Sequence, residues 1–285
     1  MKNNSRFKNS VITNFMNVKY GLLIPPFLLL FLCGLYFLFS NTGGNYVDEY
    51  VNIQKDLFLY LNSELAKFPD LQFNLTQLGD VLIFFPLVSI FILYAPKVWE
   101  ALLTSALISL IVSATLKKLF AIPRPAAILD NDSFVIIGRT LTGKSSLPSG
   151  HSIATFVVIT VLLFAFMPQK NKHKIFWSFL ILTIGLIIAF SRVGVGAHYP
   201  LDVIIGSTIG YIVTIIGIRI STTTNWLSWI SNKKYHPIFI VLLTIWICVI
   251  IQKITTANLL IFYFALLALV ISLYLLSKPY VQRKS

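Results

Sequence analysis

The feature that most constrains this chain is a series of long, continuous apolar runs. Two of them, residues 20–40 and 258–276, contain no charged side chain at all. Runs of about 20 apolar residues are typical of membrane-spanning helices, because every backbone group in lipid must be hydrogen-bonded within its own segment. A membrane β-barrel would instead show alternating apolar and polar residues. The sequence therefore predicts an all-α protein, built as a polytopic membrane helical bundle.

The composition of the 285 residues agrees with a membrane protein and argues against nucleic-acid binding. Hydrophobic residues make up 56% of the chain, and the mean hydropathy is +0.81. The formal net charge of +13 comes from Lys and Arg residues that flank the apolar runs, which is typical of membrane topology signals. We therefore expect no nucleic-acid partner. Cys33 and Cys248 lie inside apolar runs, away from any CxxC or His/Cys cluster, so we predict neither a disulfide framework nor a zinc site.

Eight apolar segments predict eight membrane spans. In chain order they are residues 20–40, 80–95, 101–116, 152–167, 175–190, 203–218, 237–251 and 258–276. Between the first two lies the segment 47–66, which has apolar residues at helical spacing but is too polar to cross a membrane. We predict that it forms an interfacial or short extramembrane helix.

The distribution of charge predicts the orientation of these spans. If the N-terminus is cytoplasmic, most Lys and Arg residues face the cytoplasm, together with only one of the ten acidic residues, Glu100. This bias follows the positive-inside rule. Both termini are then cytoplasmic, and the loops 117–150 and 191–202 lie together on the outer face.

The two outer loops contain an unusual set of polar side chains. Ionisable residues beside hydrocarbon are costly unless they have a partner or a function. Lys117, Arg124 and Arg192 supply three cations that can neutralise a dianion, and arginine matches phosphate oxygens in a bidentate way. Ser149 and Gly150 precede the fourth predicted span, where backbone N–H groups at a helix start can bind an anion. These residue types predict a phosphate-binding pocket.

Two histidines and an aspartate in the same loops can carry out phosphoryl transfer. Asp202 follows His198 by four residues, and a carboxylate bonded to one imidazole nitrogen fixes the tautomer and leaves the other nitrogen free. That free nitrogen can attack phosphorus and form a phosphohistidine. His151 can protonate the leaving oxygen and later activate water. Because three cations already stabilise the transferred group, we expect no metal ion and no other cofactor.

Each of these features also has an ordinary structural explanation when it is taken alone. Lys117 can anchor the end of a span, and Arg124 precedes a proline in a turn. Ser149 can start a helix, and His198 and Asp202 can form a structural hydrogen bond. Only their combination on one face of the membrane indicates a site.

The three segments together resemble the signature of the type 2 phosphatidic acid phosphatase superfamily. The matching residues are Lys117-x6-Arg124-Pro125, then Pro148-Ser149-Gly150-His151, then Ser191-Arg192-x5-His198-x3-Asp202. The resemblance implies that His198 is the nucleophile, that Asp202 orients it and that His151 is the general acid. It also implies a phosphate pocket made of Lys117, Arg124, Ser149, Gly150 and Arg192.

The resemblance covers residues 80–220 by motif, and residues 20–220 by the six-helix plan of that family. It implies a chain in three parts. Residues 1–19 form a basic cytoplasmic N-terminus, and residues 20–220 form a six-span phosphatase core with its catalytic loops on the outer face. Residues 221–285 add two further spans and a basic cytoplasmic tail.

The resemblance implies an integral-membrane phosphatase that hydrolyses a lipid-linked phosphate or diphosphate monoester at the outer membrane–water interface. Candidate substrates are phosphatidic acid, phosphatidylglycerophosphate, undecaprenyl diphosphate and the phosphates of lipid A. The long loop between Pro125 and Pro148 is expected to help select the headgroup. The small size and the frequent Lys, Asn and Ile favour a bacterial inner membrane, with the site facing the periplasm.

Three other functions are weighed against this one. A phosphotransferase would pass the phosphoryl group from a lipid diphosphate to another lipid alcohol through the same phosphohistidine. A vanadate-dependent haloperoxidase shares the anion pocket in soluble relatives, and eight spans argue against it. A membrane transporter or scaffold would explain the helices but not three cations, two histidines and an aspartate.

Overall fold

The protein is almost entirely helical in a computed structural model that describes residues 2–40 and 44–282. We number the helices in chain order. They are α1 Lys2–Met16, α2 Ile24–Ser40, α3 Tyr46–Leu65, α4 Pro69–Gln77, α5 Val81–Leu87, α6 Phe91–Tyr94, α7 Pro96–Phe120, α8 Pro125–Ile128, α9 Gly150–Ala165, α10 Asn171–Gly194, α11 Pro200–Thr224, α12 His236–Ala257 and α13 Leu260–Val281. These ranges contain no β-strand, and the prediction of an all-α bundle is confirmed.

Six stretches of the described chain are long and apolar enough to cross a membrane, as expected of a multi-pass membrane protein. They are Tyr20–Phe39, Pro96–Ile128, Asn171–Gly194, Pro200–Thr224, Lys233–Ala257 and Leu260–Tyr280. Each of them overlaps a predicted span. The two remaining predicted spans, 80–95 and 152–167, do not reach this length. Helix α9 has only 16 residues, and the other segment is not a single helix.

The prediction of one continuous span over residues 80–95 is wrong. The segment forms two short helices, α5 and α6, separated by a turn. Pro86 lies inside α5 and has no N–H, so the Leu82 carbonyl loses its helical donor. The Trp246 indole donates a 2.9 Å hydrogen bond to that carbonyl, and the Trp99 indole donates a 3.0 Å bond to Val88 O. Neighbouring helices therefore satisfy the broken backbone, as a membrane interior requires.

Replacing Trp246 by Phe should destabilise the bundle, because the Leu82 carbonyl would lose its donor. We expect a loss of about 1–3 kcal/mol, the cost of a polar group left unsatisfied in apolar surroundings, measured as a lower midpoint of thermal unfolding in detergent. Pro86→Ala in the same chain supplies a new N–H for that carbonyl, so Trp246→Phe should then cost markedly less. An equal cost in both backgrounds would contradict this role for the indole.

The α5–α6 segment and α9 are short, but they extend together from one end of the bundle to the other. At one end, a Cβ on Gly79 would lie only 2.7 Å from the His151 Cβ. At the other end, the ring centroids of Phe91 and Phe166 are 5.2 Å apart. Among the described residues, six segments have full span length, and the α5–α6 segment and α9 lie side by side as two shorter apolar segments.

Helix α11 lies at the centre of the bundle. Most of its apolar stretch is buried, whereas α2 faces outward over nearly its whole length. Glycines let α9 approach α11 closely: a Cβ on Gly206 would lie 2.7 Å from Ser149 O, and one on Gly210 would lie 2.6 Å from Ile153 O. Small residues at such contacts are typical of helix pairs in membranes. They hold the start of α9 against the start of α11.

The segments before and after the first span are both helical. The basic N-terminus forms α1, whose Val11 and Phe15 are buried. Asn14 ties α1 to α9 through a 3.0 Å bond to Ala165 O, at the end of α9 away from His151. The helix predicted over residues 47–66 is α3, and it lies at the end of the bundle that holds the start of α11.

Helices α12 and α13 pair with each other and pack on the broken second segment. The hydroxyls of Ser89 and Ser272 are 2.8 Å apart. Lys253 Nζ lies 3.0 Å from Asp80 Oδ2, at the start of α5. The polar contacts of this helix pair therefore reach the predicted 20–220 core at both the break and the start of its second segment.

Candidate active site

The eight predicted site residues meet at one end of the bundle because four helix ends converge there. Lys117 is in the last turn of α7, and Arg192 is in the last turn of α10. The start of α9 carries Ser149, Gly150 and His151, and the first turn of α11 carries Asp202. Arg124 and His198 lie in the loops that follow α7 and α10. The structure thus brings together residues that the sequence distributes over 86 positions, from Lys117 to Asp202.

The hydrogen bonds of His198 define which of its ring nitrogens is available for attack. Arg124 Nη1 lies 3.2 Å from His198 Nε2. A guanidinium can only donate, so Nε2 is the acceptor and Nδ1 carries the proton. Nδ1 faces Asp202 Oδ2 at 3.4 Å, a long contact of the kind that often tightens once a substrate is bound. The lone pair of Nε2 therefore points away from the carboxylate and toward the cations.

Asp202 is fully buried and accepts hydrogen bonds from three further donors. The Tyr50 hydroxyl donates to Oδ1 at 2.7 Å. The Ser146 hydroxyl donates to Oδ2 at 2.5 Å, and the Tyr199 backbone N–H donates to the same oxygen at 3.0 Å. Neither Tyr50 nor Ser146 was predicted from the sequence as a site residue. Ser146 lies just before the second motif segment, three residues before Ser149. For Tyr50 on α3, no local sequence pattern indicates a contact with the start of α11.

The start of α9 has the features of an anion site beside a cation. Ser149 caps the helix, because its hydroxyl oxygen accepts a 3.3 Å bond from Ser152 N. A Cβ on Gly150 would lie 3.3 Å from Lys117 Nζ, so glycine leaves room for the ammonium group. Helix starts leave backbone N–H groups without helical partners. An anion placed here would meet both those groups and the Lys117 charge.

Arg192 is held from one side and keeps donors for a ligand. Its Nη1 donates a 2.6 Å bond to the Thr76 hydroxyl on α4, and both side chains are buried. Within the described part of the chain, Arg192 Nε has no hydrogen-bond partner. Thr76 is a third residue that sequence reasoning missed, since it precedes Arg192 by 116 positions. The site is therefore completed by α3 and α4, which lie outside the three motifs.

The electrostatic environment keeps His198 neutral. Burial, followed by the charge of Arg124, holds the pKa of the His198 imidazole well below its ordinary value of 6.5. Arg192 and Lys117 act on that pKa in the same direction. A dianionic ligand would offset the three positive charges, so the pocket is electrostatically suited to phosphate.

The remaining histidines and acidic residues do not form a second centre. His236 is buried at the start of α12. His173 is exposed in the first turn of α10. Across residues 2–40 and 44–282, no group of three or more His, Cys, Asp or Glu side chains could hold a metal ion. Independence from metal stays a prediction.

Two apolar grooves reach the site from opposite sides of α7. The first has a volume of about 460 Å³ and runs between α5 and α7 to Gly150 and His151. Its apolar wall includes Phe85, Leu107 and Leu110. The second has a volume of about 410 Å³ and runs between α2, α3, α7 and α11 to Tyr50. Hydrocarbon chains can therefore lie next to the polar pocket on either side.

Comparison with known proteins gives a consistent assignment. Residues 98–226 match the PAP2 superfamily, and this match contains all eight predicted site residues. An undecaprenyl-diphosphatase of Sulfolobus acidocaldarius is 26% identical over 180 residues, which are 62% of this chain and 82% of that protein. The crystal structure of Aquifex aeolicus LpxE has 28% identity and a TM-score of 0.47, and the alignment covers 59% of this chain and 95% of that one. Residues 98–226, which contain all eight predicted site residues, thus match the PAP2 superfamily, the family of type 2 phosphatidic acid phosphatases that the three motifs resemble.

Proposed function

We propose that this protein is an integral-membrane phosphatase that hydrolyses a phosphate or diphosphate monoester carried by a lipid. The observation that carries the proposal is the state of His198. Its Nε2 has an available lone pair, its Nδ1 proton faces Asp202, and its surroundings are cationic. The similarity to a protein named undecaprenyl-diphosphatase supports the same reaction class.

In the first half of the proposed reaction, the phosphate group enters among Lys117, Arg124 and Arg192. Arg124 turns from His198 Nε2 to a phosphate oxygen, which frees the nitrogen. Nε2 attacks phosphorus, and the bond between phosphorus and the lipid oxygen breaks. His151 donates a proton to that oxygen, and Asp202 stabilises the positive imidazole through Nδ1–H.

In the second half, water cleaves the phosphohistidine. His151, which has lost its proton, takes a proton from the attacking water. The oxygen of that water bonds to phosphorus, the bond between phosphorus and Nε2 breaks, and inorganic phosphate leaves. His198 returns to its starting tautomer, so the cycle needs only the lipid phosphate and water.

The groove beside His151 supports a lipid substrate. The general acid must touch the leaving oxygen, so the part of the substrate that leaves must lie on the His151 side. That side opens into the apolar groove between α5 and α7. A hydrocarbon chain in this groove would place the ester at the end of the bundle, at headgroup depth, and the predicted orientation makes this the outer, periplasmic face of a bacterial inner membrane.

The experiment that tests the function is a phosphate-release assay on purified protein in detergent. The panel contains phosphatidic acid, phosphatidylglycerophosphate, undecaprenyl diphosphate and lipid A, each with a metal chelator present. Release from at least one lipid supports a metal-independent phosphatase. Phosphate that appears only on an added lipid alcohol identifies a phosphotransferase instead, and no turnover of any lipid contradicts both.

The pH dependence of kcat/KM should show an acid limb below pH 6.5. The nucleophile must be neutral, and a lowered pKa keeps His198 neutral at pH values where an ordinary histidine is already protonated. Activity should therefore persist as the pH falls through 6.5 and decline only in more acidic buffer. Burial and the charge of Arg192 also lower the pKa of His151, which must be protonated to act as the general acid, so activity should decline again as the pH rises and the full profile should be bell-shaped. An acid limb at or above pH 6.5, with chemistry rate-limiting, would contradict the electrostatic environment described for His198.

A further inference from the structure

Helix α3 supplies a polar contact to the site that the three family motifs do not include. We propose that Tyr50 is a positioning residue for catalysis, which acts by holding the Asp202 carboxylate in place behind His198. This inference rests on the proposed function, because it assigns Tyr50 a part in the same reaction. Tyr50 lies outside residues 98–226, the segment that matches the family.

The geometry shows how Tyr50 acts. Its hydroxyl donates a 2.7 Å hydrogen bond to Asp202 Oδ1, and the tyrosine is 6% exposed. The other carboxylate oxygen, Oδ2, is the one that faces His198 Nδ1. A donor on each oxygen fixes the rotation of the carboxylate, and so fixes the direction from which Oδ2 meets the imidazole. Among the described contacts, Tyr50 has no hydrogen bond to a residue of the phosphate pocket, so we assign it a positioning role.

The turn of α3 that carries Tyr50 is tied directly to the turn that carries Asp202. Gln54 Nε2 donates a 2.8 Å bond to Tyr50 O, and Gln54 Oε1 accepts a 3.0 Å bond from Leu201 N. Gln54 is itself buried. One glutamine therefore links the backbone of both turns, and the Tyr50 hydroxyl cannot shift without moving α11.

A second anchor fixes the far half of α3. Asn62 is fully buried, and its Nδ2 donates to Val193 O and Val135 O, both at 3.0 Å. Its Oδ1 accepts a 2.8 Å bond from Val135 N. The helix is thus fastened at the end of α10 and to the long outer loop, as well as at Asp202. These buried hydrogen bonds indicate that α3 is packed firmly against the site and is not a loosely attached interfacial helix.

Tyr50 remains a donor throughout the working pH range. Burial, followed by the charge of Asp202, raises the pKa of the Tyr50 phenol well above its ordinary value. The ionisable groups around the Asp202–His198 pair from the other packed elements are Lys117, Arg124, His151, Arg192 and Tyr199. None of these donates to Oδ1 among the described contacts, so Tyr50 is the group whose removal changes that oxygen.

The test is Tyr50→Phe, with Tyr46→Phe as the matched control. Both variants remove one phenol hydroxyl from α3, but the Tyr46 hydroxyl donates to Phe120 O, at 2.8 Å, and not to Asp202. We expect Tyr50→Phe to lower kcat by roughly 10- to 100-fold with little change in KM, as for the loss of a hydrogen bond to a charged group. Tyr46→Phe should leave kcat unchanged. Both are assayed on phosphatidic acid and undecaprenyl diphosphate in detergent micelles.

A shift of the pH profile separates positioning from a structural role. Without the Tyr50 hydroxyl, the Asp202 carboxylate loses a hydrogen bond that stabilises its ionised form, so Asp202 is protonated more readily as the pH falls and no longer orients His198. The acid limb of kcat/KM should therefore move to higher pH in Tyr50→Phe and stay in place in Tyr46→Phe. A folded Tyr50→Phe enzyme with unchanged kcat and an unmoved acid limb overturns the proposal, as does an equal loss in Tyr46→Phe.

Two further measurements test whether Tyr50 acts through Asp202 and cover the case in which Tyr50→Phe does not fold. In an Asp202→Asn background, Tyr50→Phe should cost much less than in the wild-type chain, and an equal cost in both overturns the proposal. If Tyr50→Phe is not recovered folded, Gln54→Leu loosens the same turn and must move the acid limb in the same direction. Absence of phosphatase activity in the wild-type protein would refute the proposed function itself, which distinguishes the two failures.

Discussion

His198→Ala is expected to abolish phosphate release from every lipid that the wild-type protein hydrolyses. The imidazole Nε2 is the only protein group in the proposed reaction that bonds to phosphorus, so its removal eliminates the covalent route. We expect kcat to fall by roughly 10⁴- to 10⁶-fold, the range found when a covalent nucleophile is deleted. The three cations would still bind phosphate. Inorganic phosphate or vanadate should therefore still compete with the lipid for binding to the variant.

The matched control is His173→Ala, which removes an exposed histidine from the first turn of α10. It should retain wild-type activity. A second readout follows the intermediate itself: substrate labelled in its phosphate should transfer label to wild-type protein in rapid-quench experiments, in a bond that alkali preserves, and not to His198→Ala. Undiminished release by folded His198→Ala would refute the assignment of the nucleophile.

His151→Ala is expected to give the second-largest loss, and its size should depend on the leaving group. A lipid alkoxide is a poor leaving group, so it needs the proton that His151 supplies. We expect a loss of roughly 10²- to 10⁴-fold with lipid phosphates, the range for general acid–base catalysis. A nitrophenyl phosphate leaves without a proton, so the loss in formation of the phosphohistidine should be much smaller with that substrate.

The comparison is made on the first turnover, because His151 is also proposed to activate water in the second step. Burst measurements with both substrates isolate the first step. The Gly79–His151 contact makes the fold of this region sensitive, so the thermal midpoint of His151→Ala must be recorded beside its activity. The same fractional loss with both substrates would show that His151 does not protonate the leaving oxygen.

The site could be predicted from the sequence largely because its charges are rare and their spacing is local. Lys117 and Arg124 stand out in a chain that is 12% charged, and His198 and Asp202 are one helical turn apart. Tyr50 could not be found in this way. It meets Asp202 across 152 positions, and a tyrosine on an amphipathic helix has no pattern that names its partner. Its role becomes visible only when the helices are packed.

The fold shows the same division between local and distant information. Continuous apolar runs identified the long spans, because hydrophobic length is a property of each segment alone. The same measure failed at residues 80–95, because hydropathy carries no information about backbone hydrogen bonds and Pro86 has no N–H to donate. The compensating donor is the Trp246 indole, which is 164 positions from Leu82 in the chain. The break and its repair are therefore encoded in different parts of the sequence.

That separation has a consequence for the order in which the protein is made. The broken segment leaves the ribosome long before Trp246 has been synthesised. The Leu82 carbonyl therefore has no indole donor while α7, α9, α10 and α11 are added. During that interval the segment depends on water, lipid headgroups or the insertion machinery for its polar contacts. The last two helices thus stabilise the broken segment only after most of the bundle has been synthesised. Release of the chain before they arrive would leave the half-made protein open to quality-control proteases at this segment.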